Sequence, residues 1–120
     1  MARISLLVLL CCLFAAPLFA NKSSVKIDAP DKAVKGTVAT IKLTISHKGN
    51  NLFHHTEWVY VKIDGKEIAR WEYSFTNLPE DSVFVKEVEY TVNDTITIEA
   101  EANCNIHGSA GISEKKIEAE

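Results

Sequence analysis

Four histidines and three cysteines are the side chains of this 120-residue sequence best suited to hold a metal ion, and they are not scattered. His47, His54 and His55 lie around one connection, Ser46-His47-Lys48-Gly49-Asn50-Asn51-Leu52-Phe53-His54-His55. The fourth, His107, stands three residues after Cys104 in Asn103-Cys104-Asn105-Ile106-His107-Gly108. A Cys-x-x-His step lets one short loop present both side chains to a single ion, and a thiolate with imidazoles suits iron, copper or zinc better than magnesium or calcium. His54 and His55 are adjacent, and neighbours on a strand point to opposite faces, so at most one of them joins His47 on the same ion. Simple burial and a reactive thiol are the other readings of Cys104. Other chemistries find less support. No oxyanion-hole loop accompanies a Cys-His pair, and no glycine-rich loop cradles phosphate. Glu99 and Glu101, two apart on one strand face, read as a solvated face and not as a glycosidase dyad.

The cysteine arithmetic depends on the first twenty residues. Arg3 is followed by an unbroken apolar run from Ile4 to Ala20, which gives way to the polar Asn21-Lys22-Ser23-Ser24. A positive residue, a short apolar stretch and a small residue at its end make a secretory signal peptide, residues 1–20, and the run is short for a membrane span. The expected mature domain, 21–120, is then periplasmic or secreted, with no membrane attachment after cleavage. Cleavage removes Cys11 and Cys12, which leaves Cys104 as the only thiol in a disulfide-forming compartment and excludes an intramolecular disulfide. The whole chain is 47% hydrophobic and 24% charged, which fits one small globular domain. Loss of Arg3 takes the formal charge from -3 to -4, and Lys and Glu are interleaved without a basic block, a balance that argues against nucleic acid as a partner.

The elements that must position these residues read as strands. Val38, Ile41, Leu43 and Ile45 give Gly36 to Ser46 a mostly alternating apolar pattern, the mark of a half-buried strand. Trp58 to Ile63 and Lys66 to Tyr73 flank Asp64-Gly65, a hairpin signal because glycine supplies the positive φ that the turn needs. After the loop Thr76 to Asp81, Val83 to Val92 reads as a strand, Asn93-Asp94 as a tight turn, and Thr95 to Ala102 as an alternating strand that runs directly into Asn103-Cys104. Ile112 to Ala119 reads as a last edge strand with charges outward, and Pro30 to Lys35 as loop. Trp58, Trp71 and Tyr73 serve the core or the rim. With Val25 to Asp28 as a short first strand, about seven strands predict an all-β, immunoglobulin-like sandwich, with a small barrel as the alternative.

The run Cys104-Asn105-Ile106-His107-Gly108, with His47 and the pair His54-His55 entering the strand Trp58 to Ile63, resembles the iron-binding domain of desulfoferrodoxin and neelaredoxin, the superoxide reductases, over roughly His47 to Gly108. The resemblance implies a mononuclear non-haem iron, bound in the family by four equatorial imidazoles and an axial cysteine thiolate that pushes electron density through the metal. Carried over, it makes Cys104 the axial ligand and His47, His54 and His107 equatorial ligands. His55 remains the alternative to His54, because the gap from His47 is one residue longer than usual. It further implies reduction of superoxide to hydrogen peroxide, an electron-donor protein as partner, and a homo-oligomer. Lys48, next to His47, becomes the lysine that attracts the anion.

Two departures accompany the resemblance. The family's Glu-Lys-His-Val-Pro loop, which supplies the remaining imidazole, has no counterpart between Asn21 and Ser46, where no histidine occurs. A site of three histidines and one cysteine is then four-coordinate, completed by water, or completed by His55. The family's Leu-Trp after the cysteine motif is Ser109-Ala110 here. No four-cysteine set for a second iron domain exists, so a single centre is expected. The competing readings are a non-enzymatic iron-binding or electron-transfer protein of the same fold, and a zinc-binding or metal-free structural or carrier sandwich.

Overall fold

A computed structural model describes residues 21–120; the apolar run read as a signal peptide, with Cys11 and Cys12, lies outside the described residues. Eight strands follow in order among the described residues: β1 Ser24–Asp28, β2 Lys32–Ala33, β3 Thr37–Ser46, β4 Thr56–Ile63, β5 Lys66–Glu72, β6 Val83–Val92, β7 Ile96–Cys104 and β8 Ser113–Ala119. They form a three-stranded sheet, β1-β3-β6, and a five-stranded sheet, β2-β8-β7-β4-β5, which close an immunoglobulin-like sandwich.

The period of two along each strand decides what lies between the sheets. In β3, Ala39, Ile41, Leu43 and Ile45 point inward and are buried, while Val38 falls out of phase and stands 60% exposed. In β7, Ile96, Ile98, Ala100 and Ala102 point inward in the same way. These rows meet Val59, Val61 and Ile63 of β4 and Ile117 of β8 in one continuous core. Each fully buried aliphatic side chain there contributes about 1.5–3 kcal/mol against exposure.

The Asp64-Gly65 turn forms as expected, with φ of 49° and 81°, and joins β4 to β5 as a hairpin. Asn93 to Thr95 carries the chain from β6 in one sheet to β7 in the other. Two expectations change. The segment Pro30 to Lys35 contains β2, whose Lys32 and Ala33 pair in parallel with Glu118 and Ala119. β8 is therefore not the edge, since β7 lies on one side and β2 on the other. Two paired residues carry no readable period, which is why the sequence pattern shows only a polar loop there.

Of the aromatic residues, Trp71 and Tyr73 pack against the core, whereas Trp58 stacks on Tyr60 at 5.5 Å with Arg70 over both rings. Burial and then the nearby charges of Glu101 and Glu99 raise the Tyr60 pKa.

Candidate metal centre

The in-out alternation that builds the core also delivers two donors to one end of the sandwich. Cys104 is the last inward residue of β7, in the row of Ile98, Ala100 and Ala102, and is 1% exposed. His47 continues the inward row Leu43, Ile45 one step past the end of β3 and is 2% exposed. β4 starts at the same end, because Thr56 pairs with Cys104, so the residues just before it are brought to the same place.

Among these, His54 turns toward His47 and His107. Its Nε2 lies 3.1 Å from His47 Nε2 and 2.9 Å from His107 Nδ1, and the rings meet edge to face. The sulfur of Cys104 lies 4.0 Å from His107 Nδ1, and the donor atoms of His47, His54 and Cys104 all fall within 4.8 Å of one another. His55 turns the other way, as the adjacency argument requires. It is buried and donates its Nδ1–H to the Asn51 carbonyl at 3.1 Å. The structure thus brings together His47, His54, Cys104 and His107 and leaves His55 outside the cluster.

The donor set fits a transition-metal ion in spacing and in protonation. Two nitrogens about 2.1 Å from one ion and at right angles to it are about 3.0 Å apart, the separation found between the ring nitrogens. Asn50 fixes the proton of His47. Its Oδ1 accepts from the Thr56 N–H at 2.8 Å and its Nδ2 donates to the Asp81 carbonyl at 2.8 Å, so the amide orientation is determined. The His47 Nδ1 that faces Oδ1 at 2.7 Å must therefore be the donor, which leaves Nε2 as the nitrogen that can take an ion. Burial first, then the charges of His47 and His107, hold the His54 pKa below its ordinary value, against an opposing pull from the Asn21 carbonyl. That favours the neutral imidazole a metal needs. The backbone N–H groups of Ile106 and His107 both point at Cys104 Sγ at 3.4 Å, an arrangement suited to a thiolate.

The two ligand-bearing loops are tied together by residues whose role the sequence does not announce. Asn105 Oδ1 accepts from the His55 N–H at 3.0 Å, its Nδ2 donates to the Phe53 carbonyl at 3.2 Å, and its own N–H donates to the His55 carbonyl at 3.0 Å. Cys104 and Gly108 exchange both backbone hydrogen bonds, at 2.9 and 3.1 Å, which closes the Asn105-Ile106-His107 loop. Gly108 has a φ of 82°, open to glycine at little cost. Lys48 does not enter the cluster. With Lys22, Ser24, Ser46 and Ser82 it lines a pocket of about 410 Å³ that reaches the centre through His47. Lys22, from outside the histidine loop, was missed by a reading confined to that loop. The paired Asn50-Asn51 between the histidines was the one available signal for Asn50.

Solved structures agree with this architecture. A superoxide reductase (neelaredoxin) from Ignicoccus hospitalis superposes with a TM-score of 0.71 at 18% identity, over 88% of this chain and 87% of its own. A Thermotoga maritima chain proposed to be a superoxide reductase gives 0.66 at 26% identity, over 86% of this chain and 90% of that one. A CARDB domain from Pyrococcus furiosus, solved in complex with di-metal ions, reaches 0.62 at 16% identity, over 83% and 93%. Likenesses at such low identity show the sandwich alone. No curated protein matches the sequence significantly. The desulfoferrodoxin family profile, in contrast, matches residues 18–110, a span that holds all four clustered donors and reaches well upstream of His47. The chain belongs to the desulfoferrodoxin family.

Proposed function

We propose that the protein is a superoxide reductase that holds one mononuclear non-haem iron through His47, His54, His107 and Cys104. The observation that carries this reading is the convergence of three ring nitrogens and the buried thiol of Cys104 at one end of a desulfoferrodoxin sandwich. Ferrous iron bound there supplies the single electron that, with two protons, converts superoxide to hydrogen peroxide, and a donor protein restores the ferrous state.

The chain's own groups prepare that chemistry. Asn50 keeps the proton of His47 on Nδ1, away from the cluster. The amides of Ile106 and His107 donate to the Cys104 sulfur and orient it at the centre. Lys48 and Lys22 make the pocket beside His47 attractive to a small anion. We place the mature domain outside the cytoplasm, and amino-terminal sequencing of exported protein checks this by finding Asn21 first.

The test is to load the protein with ferrous iron without air, oxidise it, and record metal content and visible spectrum for wild type and Cys104→Ser. One iron per chain and a thiolate-to-iron band absent from the variant support the site, and stoichiometric peroxide from pulsed superoxide supports the activity. Iron with the band but without superoxide consumption leaves an iron-binding or electron-transfer protein. No iron, or iron without the band, sinks the reading.

A further inference from the structure

The amino-terminal segment reaches the centre with its backbone. The carbonyl oxygen of Asn21 lies 3.1 Å from His47 Nε2. The same carbonyl is within hydrogen-bond reach of the His54 ring, so one main-chain oxygen faces two of the clustered imidazoles. The His47 ring that it meets is only 2% exposed. An ion seated among these rings would therefore lie beside the oxygen as well.

The carbonyl is also held in place. Two residues on, Ser23 is fully buried, its N–H donates to the Gly108 carbonyl at 3.3 Å, and its carbonyl accepts from the Ala110 N–H at 2.9 Å. Its hydroxyl bonds Thr56 Oγ1 at 2.9 Å, so the segment is pinned to the loop that carries Cys104 and His107 and to the start of β4. The separations around the centre form a series: 2.9 Å from His107 to His54, 3.1 Å from His54 to His47, and 3.1 Å from His47 to the Asn21 oxygen. All three match donors set at right angles about one ion.

We propose that the main-chain carbonyl oxygen of Asn21 is a further ligand of the same ion, bound beside His47. The inference rests on the metal centre described above and adds a ligand that no side-chain motif discloses. A carbonyl oxygen has no proton to lose, so this ligand, unlike the thiol and the imidazoles, binds without competing with protons. It is also a harder and weaker donor than a nitrogen, which makes it the ligand of this set most easily exchanged.

A crystal structure of the protein loaded with ferrous iron, with the metal located by anomalous scattering, tests this without reference to activity. The expected result is iron bonded to His47, His54, His107 and Cys104 with the Asn21 oxygen at bonding distance, about 2.0–2.4 Å. Iron on those four side chains with the Asn21 carbonyl turned away, or with water in its place, overturns this inference and leaves the centre standing. Iron absent from the cluster overturns both.

Discussion

Asn50 decides where His47 carries its proton, and with it which nitrogen is free for a cation. Replacing Asn50 by Ala removes that acceptor and leaves the Thr56 N–H without its partner. Groups that orient a ligating imidazole in this way are worth about 10–100-fold in metal affinity, so N50A is expected to weaken iron binding by that factor in a chelator competition, with N50D retaining most of it. Lys48 belongs to the pocket and not to the cluster. K48A should leave metal content and the thiolate band unchanged. It should slow the second-order reaction with superoxide about threefold to tenfold and flatten its dependence on ionic strength, with K48R close to wild type. At this scale the sequence was informative where residue type carries the chemistry. His47, His54, Cys104 and His107 stood out because imidazole and thiol are rare and were clustered. The Asn21 oxygen did not, since every residue has a carbonyl and only the fold says which one arrives beside the clustered imidazoles.

Strand alternation connects the core to the centre. The odd-numbered row Ala39 to Ile45 ends on His47, and the even-numbered row Ile96 to Ala102 ends on Cys104, so the pattern that buries aliphatic side chains also aims two donors inward. Shortening Ile41 or Ile98, both fully buried, to Ala is expected to cost about 2–5 kcal/mol in denaturant unfolding. Gly108 tests the loop on its own. An added Cβ meets nothing closer than Asn103 Oδ1 at 3.8 Å, so G108A is burdened by its φ of 82° and not by a clash. A cost of about 1–2 kcal/mol is expected, with weakened iron binding because Cys104 and His107 flank the closed loop. Most of the strands were legible from their apolar period and from Asp64-Gly65. β2 was not, because a two-residue parallel pairing depends on a partner some 86 positions away and leaves no local pattern. The divergence of His54 from His55 was legible from adjacency alone, although both precede the strand and lie in a bent connection.

The centre belongs to neither sheet. His47 follows a strand of the three-stranded sheet, Cys104 ends a strand of the five-stranded sheet, and the Ser23–Thr56 hydroxyl pair bridges the two at the same end. A metal that binds only the closed sandwich stabilises it by mass action, by about 2.7 kcal/mol at a free concentration 100 times Kd. For a domain of this size each kcal/mol is worth about 4–8 °C, so chelation should lower the melting temperature measurably, and by much less in Cys104→Ser. Donors at positions 47, 54, 104 and 107 also impose an order of events. His54, Cys104 and His107 are positioned by β4 and β7 of the five-stranded sheet, and His47 joins them only when the three-stranded sheet has closed over it, so the fourth donor arrives with contacts distant in sequence, which form late. In refolding from denaturant with iron present, the thiolate colour should therefore rise no sooner than the tryptophan signal. A complete donor set would then act as a receipt for finished folding, because a chain stalled with only the five-stranded sheet formed lacks His47.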